Sequence, residues 1–447
     1  MLLFSHNSQA FDWLFQPDFD ASERYTDNLR MQINPTRDNF ITTLSPSVLA
    51  GFIDRNQELR ISFRWNEIIY HDDPDMDDFG EKIADFSHQF SGENFKTELK
   101  AQYAEQSSLN TQLEQDGSGN LQLQIPRHTI SISPGFTYNF TEKNALQLGY
   151  NYLDVWYDRI PGQLQGFFSY SDYQNHQISA TAIHSYSDRL SLNLTGIYSH
   201  YTSPTDFSTS GVILYCNDLN PPNVNTRLCA DGSLPIPSSI STSTDYTLTS
   251  DNFTYQGGFQ YIFDEQTQLS ASAGMRNTDT TTEINSNTTF DPINSNKSLP
   301  DLPASQSLSS DGIGYVYSAN LNRKSDWGGL SLSADQQINP SSNGNQQQST
   351  SFSGNINYNL AERWTTGLNA RYQLTESTST SSDISSRNNR TYTAVTPNIR
   401  WSWTPEINLN LSYSYRYQKY DNRDDPSIGN NLELQFSYQP QINRLVK

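Results

Sequence analysis

From Ile407 to Tyr417 the chain alternates with a period of two. Ile407, Leu409, Leu411, Tyr413, Tyr415 and Tyr417 share one parity; Asn408, Asn410, Ser412, Ser414 and Arg416 share the other. A period of two marks a strand with one dry and one wet face. The same alternation returns at Leu146–Trp156, Leu190–Tyr198, Phe253–Phe263, Ile313–Leu321, Trp364–Leu374 and Leu432–Tyr438. A soluble sandwich would have to explain why the wet faces stay polar in nearly every strand and why the strands run so long.

The connections alternate in length. Short turns are predicted near Asp54–Gln57, Gly92–Asn94, Thr141–Lys143, Ser187–Arg189, Asp264–Gln266, Lys324–Trp327, Ala361–Arg363 and Thr404–Glu406. Between them lie longer segments near Asp27–Asp38, His71–Glu81, Ser107–Pro126, Asp158–Gln165, Ser203–Asp245, Asn277–Asp311, Asn339–Gln346, Glu376–Arg387 and Tyr420–Asn430. The expected fold is therefore all-β: a single closed antiparallel transmembrane meander β-barrel of about 18 strands, with sixteen as the nearest alternative. Short turns would face the periplasm and long loops the exterior. The barrel is expected to span 11–440, with loop insertions at 203–245 and 277–311. Residues 1–10 would be the tail of a signal peptide cleaved after Ala10.

A hairpin is repeated. LSPSVLAGFIDRNQELRISFRWNEIIYHD begins at Leu44, ISPGFTYNFTEKNALQLGYNYLDVWYDR at Ile132 and VTPNIRWSWTPEINLNLSYSYRYQKYDN at Val395. Each copy places a proline (Pro46, Pro134, Pro397) two residues past an aliphatic residue and ends its second strand in tyrosine. Proline removes a ladder hydrogen bond, so three copies at one place predict a bulge or a local bend.

Composition narrows the class. The hydrophobic fraction is 34% and the mean hydropathy −0.69, values that would suggest disorder, yet there are 26 Tyr, 22 Phe and 7 Trp. Disordered chains are poor in aromatics. No stretch nears the ~18 apolar residues of a membrane helix, and lipid leaves no partner for a free strand edge, so a membrane chain of this kind must close on itself. A net charge of −20 argues against nucleic acid. Cys216 and Cys229, in a Pro/Asn/Ser-rich stretch, would staple a loop in an oxidising compartment; two unpaired thiols are the alternative. No haem-attachment motif is present, and no cofactor is expected.

The strand-and-turn motifs "YTDN" from Tyr25, "TTLSPSV" from Thr42, "YNFTEKNALQLGYNYLDVWYD" from Tyr138 and "INPSSNG" from Ile338 resemble the outer-membrane β-barrel family found near exosortase and exopolysaccharide genes of Gram-negative bacteria. The resemblance covers most of the chain. It implies a barrel in the bacterial outer membrane and narrows passage to glycan export. Two features depart from it: the loop holding the cysteines, and a C-terminal strand that runs on through Asn443–Lys447.

No catalytic constellation stands out among seven scattered His and abundant Ser, and an enzyme is not expected. Asp73, Asp75 and Asp77 set carboxylates at every second residue, as a hard cation would need, but no glycine turn or bidentate Glu follows, so a solvated loop is the plainer reading. Counting parity from the apolar face sends Arg60, Arg64, Lys96, Lys100, Arg276, Arg371, Arg400 and Arg416 into the lumen, beside Asp85 and Glu98. Such a lining suits a porin-like path for hydrated polar solutes, polysaccharide among them, with outer-membrane lipid around it. A scaffold barrel clasping a protein partner, such as a periplasmic multihaem cytochrome, is the alternative.

Overall fold

The computed structural model describes residues 12–35, 37–71, 73–74, 76–111, 124–158, 170–215, 236–292, 302–341, 346–377, 389–440 and 443–446, with backbone alone at 206–215, 236–240, 290–292, 302 and 443–446. Among the described residues strand follows strand, with one four-residue helical turn between them. The strands are β1 (Asp12–Thr26), β2 (Asn39–Ile53), β3 (Gln57–His71), β4 (Phe79–Ser91), β5 (Phe95–Ser107), β6 (Pro126–Thr141) and β7 (Asn144–Tyr157). They continue as β8 (Tyr173–Ser185), β9 (Leu190–Tyr215), β10 (Ile236–Asp264), β11 (Thr267–Pro292), β12 (Leu302–Ser325) and β13 (Gly328–Pro340). The last are β14 (Gln346–Ala361), β15 (Trp364–Ser377), β16 (Arg390–Ser402), β17 (Ile407–Tyr420), β18 (Ser427–Tyr438) and β19 (Asn443–Val446). The helical turn α1 is Ser108–Thr111, after β5.

From β1 to β18 each strand pairs antiparallel with its sequence neighbour, and β1 closes the sheet against β18 and β19. β19 continues β18 along β1 with a one-residue offset: Phe19 lies opposite Tyr438, and Asp12 opposite Val446. The two form one stave, so the wall has eighteen. The outer face is apolar. Stacked Trp364, Trp401 and Trp403 mark its lower rim, and Tyr198 against Phe253 (4.8 Å) marks the upper. On β10, Phe253 and Phe263 bracket about 26 Å at ~3.4 Å per residue and ~40° tilt, close to the ~25 Å band of outer-membrane barrels.

The sequence suggested loops at 203–245 and 277–311; the structure corrects this. β9, β10, β11 and β12 run on beyond the upper rim as a four-stranded ribbon, and the strands are 26, 29, 26 and 24 residues long. Above Phe253 the outward residues become Asp251, Thr249 and Thr247. The outward face turns polar there while the inward one still carries Tyr201, Tyr246 and Leu248, so the dry-outside alternation that signals a barrel strand disappears while the backbone pairing persists.

The prolines give a second correction. Pro46, Pro134 and Pro397 pair normally with Phe19, Leu99 and Leu368 on the preceding strand. On the following strand the ladder skips two residues and resumes in the same register. There is no bulge, only a missing rung. Opposite each gap the register places an aromatic, Trp65, Tyr150 or Tyr413, on the lipid side. On the lumen side, Ser133 Oγ donates to Asn151 (2.9 Å) and Thr396 to Ser414 (2.9 Å). Side-chain bonds inside stand beside the backbone bonds that proline forbids.

Candidate functional site: the lumen

The inward face carries side chains that hydrogen-bond across strands. Thr181 meets Thr195 (3.0 Å), Ser272 meets Ser318 (2.8 Å) and Ser333 meets Ser353 (2.6 Å). Ser331 donates to Asn322 at 2.8 Å. These neutral pairs leave lone pairs and hydroxyl rotors for water. Beside β7 to β13 the lumen holds a cavity of about 630 Å³ lined by Gln147, Gln177, Thr181, Gln256, Ser272 and Arg276 among others.

All eight basic residues singled out by parity lie on the inward-facing positions, but they fall into two groups. Arg60, Arg64, Lys96, Lys100, Arg371 and Arg400 are exposed or half-buried. Arg60 pairs with Glu58, and Lys96 with Glu98 at 2.7 Å. Asp85 accepts from Gln102 (2.7 Å). Arg371 and Arg416 share one rung through Ala394, which is opposite both.

Arg276 and Arg416 are buried, with 6% and 8% exposure, and serve the mouth instead. Arg416 Nη2 donates to the carbonyl of Asn28 (3.0 Å), to Thr26 (3.2 Å) and to Asn431 (2.9 Å). Asn28 in turn donates to the carbonyls of Ile428 and Gln32, each at 2.7 Å. The segment after β1 is thereby fastened inside the barrel. Its Met31 takes a left-handed backbone, φ 48°, uncommon outside glycine, and its side chain is buried against Ile41, Ile68, Tyr70, Met76 and Tyr392. This apolar plug joins β2, β3 and β16 across the extracellular mouth.

A second cluster fills the opposite side. Tyr157, Tyr173, Tyr201, Val155 and Leu248 point inward around Ile125. Arg127 braces it, donating to Thr129 (2.6 Å) and to the Tyr173 hydroxyl (3.3 Å). Glu81, 3% exposed, accepts from Asn66 (2.9 Å), from the Ser107 amide (3.2 Å) and from Asn110 (2.7 Å), which pins α1 against β4. Arg390, fully buried, donates to Gln418 (3.2 Å) and lies 5.3 Å from the Tyr392 ring. Buried charges need such partners because stripping their water costs several kcal/mol each. Sequence reasoning passed over Glu81, Arg127 and Arg390, although the same parity count would have turned them inward.

Two other candidates resolve differently. Asp73 accepts from Asn39 (2.6 Å) and lies 3.9 Å from Arg37, while the Asp77 amide donates to Gln124 (3.2 Å). Asp73 thus holds the loop in place. Among the described residues no group of acids is gathered for a metal, and Asp75 lies outside them. Cys216, Cys229 and residues 1–10 also lie outside the described residues.

A closed sheet whose outer face is an apolar band between aromatic rims has one natural solvent. The protein is a barrel of the bacterial outer membrane. No family model matches the sequence, and no protein of curated function does. Among solved structures, the channel DcaP of Acinetobacter baumannii superposes with a TM-score of 0.43 at 8% identity, covering 98% of this chain and 100% of that one. The outer-membrane protein opdK of Pseudomonas aeruginosa gives 0.40 at 10% identity, covering 95% and 98%. The siderophore receptor PirA of A. baumannii gives 0.43 at 9% identity, covering 95% and 80%. At these scores the superpositions carry no argument, and the fold rests on the strand register itself.

Proposed function

We propose that the barrel passes hydrated polar solutes across the outer membrane through a lumen narrowed by its own loops. The observation that carries this reading is the inward face: Ser, Thr, Asn and Gln side chains that bond across strands, interspersed with Arg64, Lys100 and Arg400. Among the described residues Arg64 and Arg400 make no hydrogen bond or ion pair, and Lys100 makes none beyond its charge interaction with Glu98. Neutral hydrogen-bonding walls exchange partners with a hydrated solute at little cost, and unpaired basic groups favour anionic ones. Sugars fit such a wall, and the family resemblance in the sequence narrows them to exported polysaccharide. A scaffold enclosing a protein partner is the second reading; the two apolar clusters already occupy space in the mouth that an enclosed protein would need. Purified protein in a planar bilayer should give steady conductance that is partly blocked by an acidic oligosaccharide. A wild-type barrel silent at all voltages would overturn the channel reading.

A further inference from the structure

β12 and β13 pair only from Ser325 opposite Gly328 up to Tyr317 opposite Gln336. β12 nevertheless continues, paired with β11, to Leu302, and β13 continues, paired with β14, to Pro340. Above Tyr317 the two strands part. The joined stretch rises roughly 21 Å at ~3.4 Å per residue and ~40° tilt, less than the ~25 Å apolar band. The wall therefore opens within the outer-leaflet half of the membrane.

The side chains show how the lips overlap. Asn252 and Arg276 face inward, yet Asn252 Nδ2 donates to Gln346 (3.2 Å) and Arg276 Nη2 to Gln348 (3.4 Å). The upper end of the β13–β14 hairpin thus tucks inside the sheet of β10–β12. The outer lip presents Ile313 and Tyr315, 74% and 68% exposed. The lumen cavity reaches the opening, since Val316 and Tyr317 of one lip and Gln336 and Gln337 of the other line it.

Arg276 sits at this opening. Its Nε donates to Thr278 (3.1 Å), while Nη1 is buried with no partner, and no carboxylate among the described residues pairs with it. Gly314 stands directly opposite on β12, and a Cβ there would lie 2.4 Å from Nη2. Glycine lets the guanidinium lie against the lip. A buried, unpaired guanidinium is costly, and an anion would relieve it.

We propose that the split between β12 and β13 is a lateral portal for an anionic amphiphile, whose alkyl chain lies along Ile313 and Tyr315 and whose charged head meets Arg276. A free fatty acid and an anionic lipid of the leaflet share this chemistry. The test is laurate titration by calorimetry into the barrel in dodecyl maltoside, alongside mass spectrometry of co-purified phosphatidylglycerol. Wild type should bind laurate saturably and in preference to dodecyltrimethylammonium. Arg276→Gln should weaken binding at least tenfold and Gly314→Ala several-fold. Arg189→Gln, in a turn on the other side of the membrane, should not change it. Heat-modifiable gel mobility confirms that each variant is folded. Co-purified phosphatidylglycerol that laurate must displace would identify the leaflet as the source; laurate binding untouched by added phosphatidylglycerol would identify the free amphiphile. Absence of saturable anion binding, equal affinity for the cationic amphiphile, or an unchanged laurate affinity in folded Arg276→Gln would overturn the portal. None of these readouts depends on conductance.

Discussion

Arg416 Nη2 donates to the backbone carbonyl of Asn28 at 3.0 Å, a contact between residues nearly four hundred positions apart in sequence. It joins the upper end of β17 to the segment that follows β1 and makes that segment part of the lumen wall. Charge-assisted hydrogen bonds of this kind are worth about 1.5–3 kcal/mol each. Arg416→Ala should free the segment, raise bilayer conductance and make the bond after Arg30 cleavable by trypsin on intact cells. Unaltered conductance and no new cut would show that Arg416 does not hold the mouth.

The open basic residues should act on charge alone. Replacing Arg64, Lys100 and Arg400 together by Glu is expected to move the reversal potential in a salt gradient toward cation preference, with conductance within about twofold of wild type. The effect should fade above ~1 M salt, where charge is screened within ~3 Å. An unmoved reversal potential would place these side chains away from the ion path.

Neighbouring residues on β9 test the facing of the wall. Leu194 points to lipid and is 67% exposed, whereas Thr195 points inward and bonds Thr181. Leu194→Arg should destabilise the barrel by ~2–4 kcal/mol in urea titrations in lipid, the cost of a lipid-facing charge near the midplane. Thr195→Arg should cost much less. The reverse order would invert the strand.

Trypsin can read the orientation. Between Leu190 and Asp264 the only Lys or Arg is Arg227, and between Asn277 and Asp311 the only one is Lys297. Whole cells should be cut after these two, while Arg189 and Arg363 in the short turns stay intact until the outer membrane is permeabilised. Early cutting at Arg363 would place the short turns outside.

The order, number and facing of the strands were legible because a wall between lipid and water imposes a period of two on every stave. Eight short and nine long connections followed from the same pattern. The inward folding of the mouth was not legible. Met31, Met76 and Leu109 are single apolar residues in segments without a period, and only contact with Ile41 and Tyr392 gives them a place. Upper β9–β12 escaped because Asp251, Asp279 and Asp311 put charge on the outer face, and a strand whose outer face is wet lacks the dry-outside alternation and looks like a loop in sequence. The parting of β12 from β13 left no trace either, since Ile338 continues the apolar parity of its strand past the point where pairing stops.

The ribbon of β9–β12 has a consequence for the cell surface. From Phe253 to Ile236, β10 rises roughly 40–45 Å if it keeps its membrane tilt, far beyond the short β17–β18 connection at 421–426. An antibody or a phage approaching the bacterium would meet this ribbon before it reached the mouth. Selection by such predators can then rewrite the far end of the ribbon residue by residue, while the lumen, set well below it, keeps its chemistry.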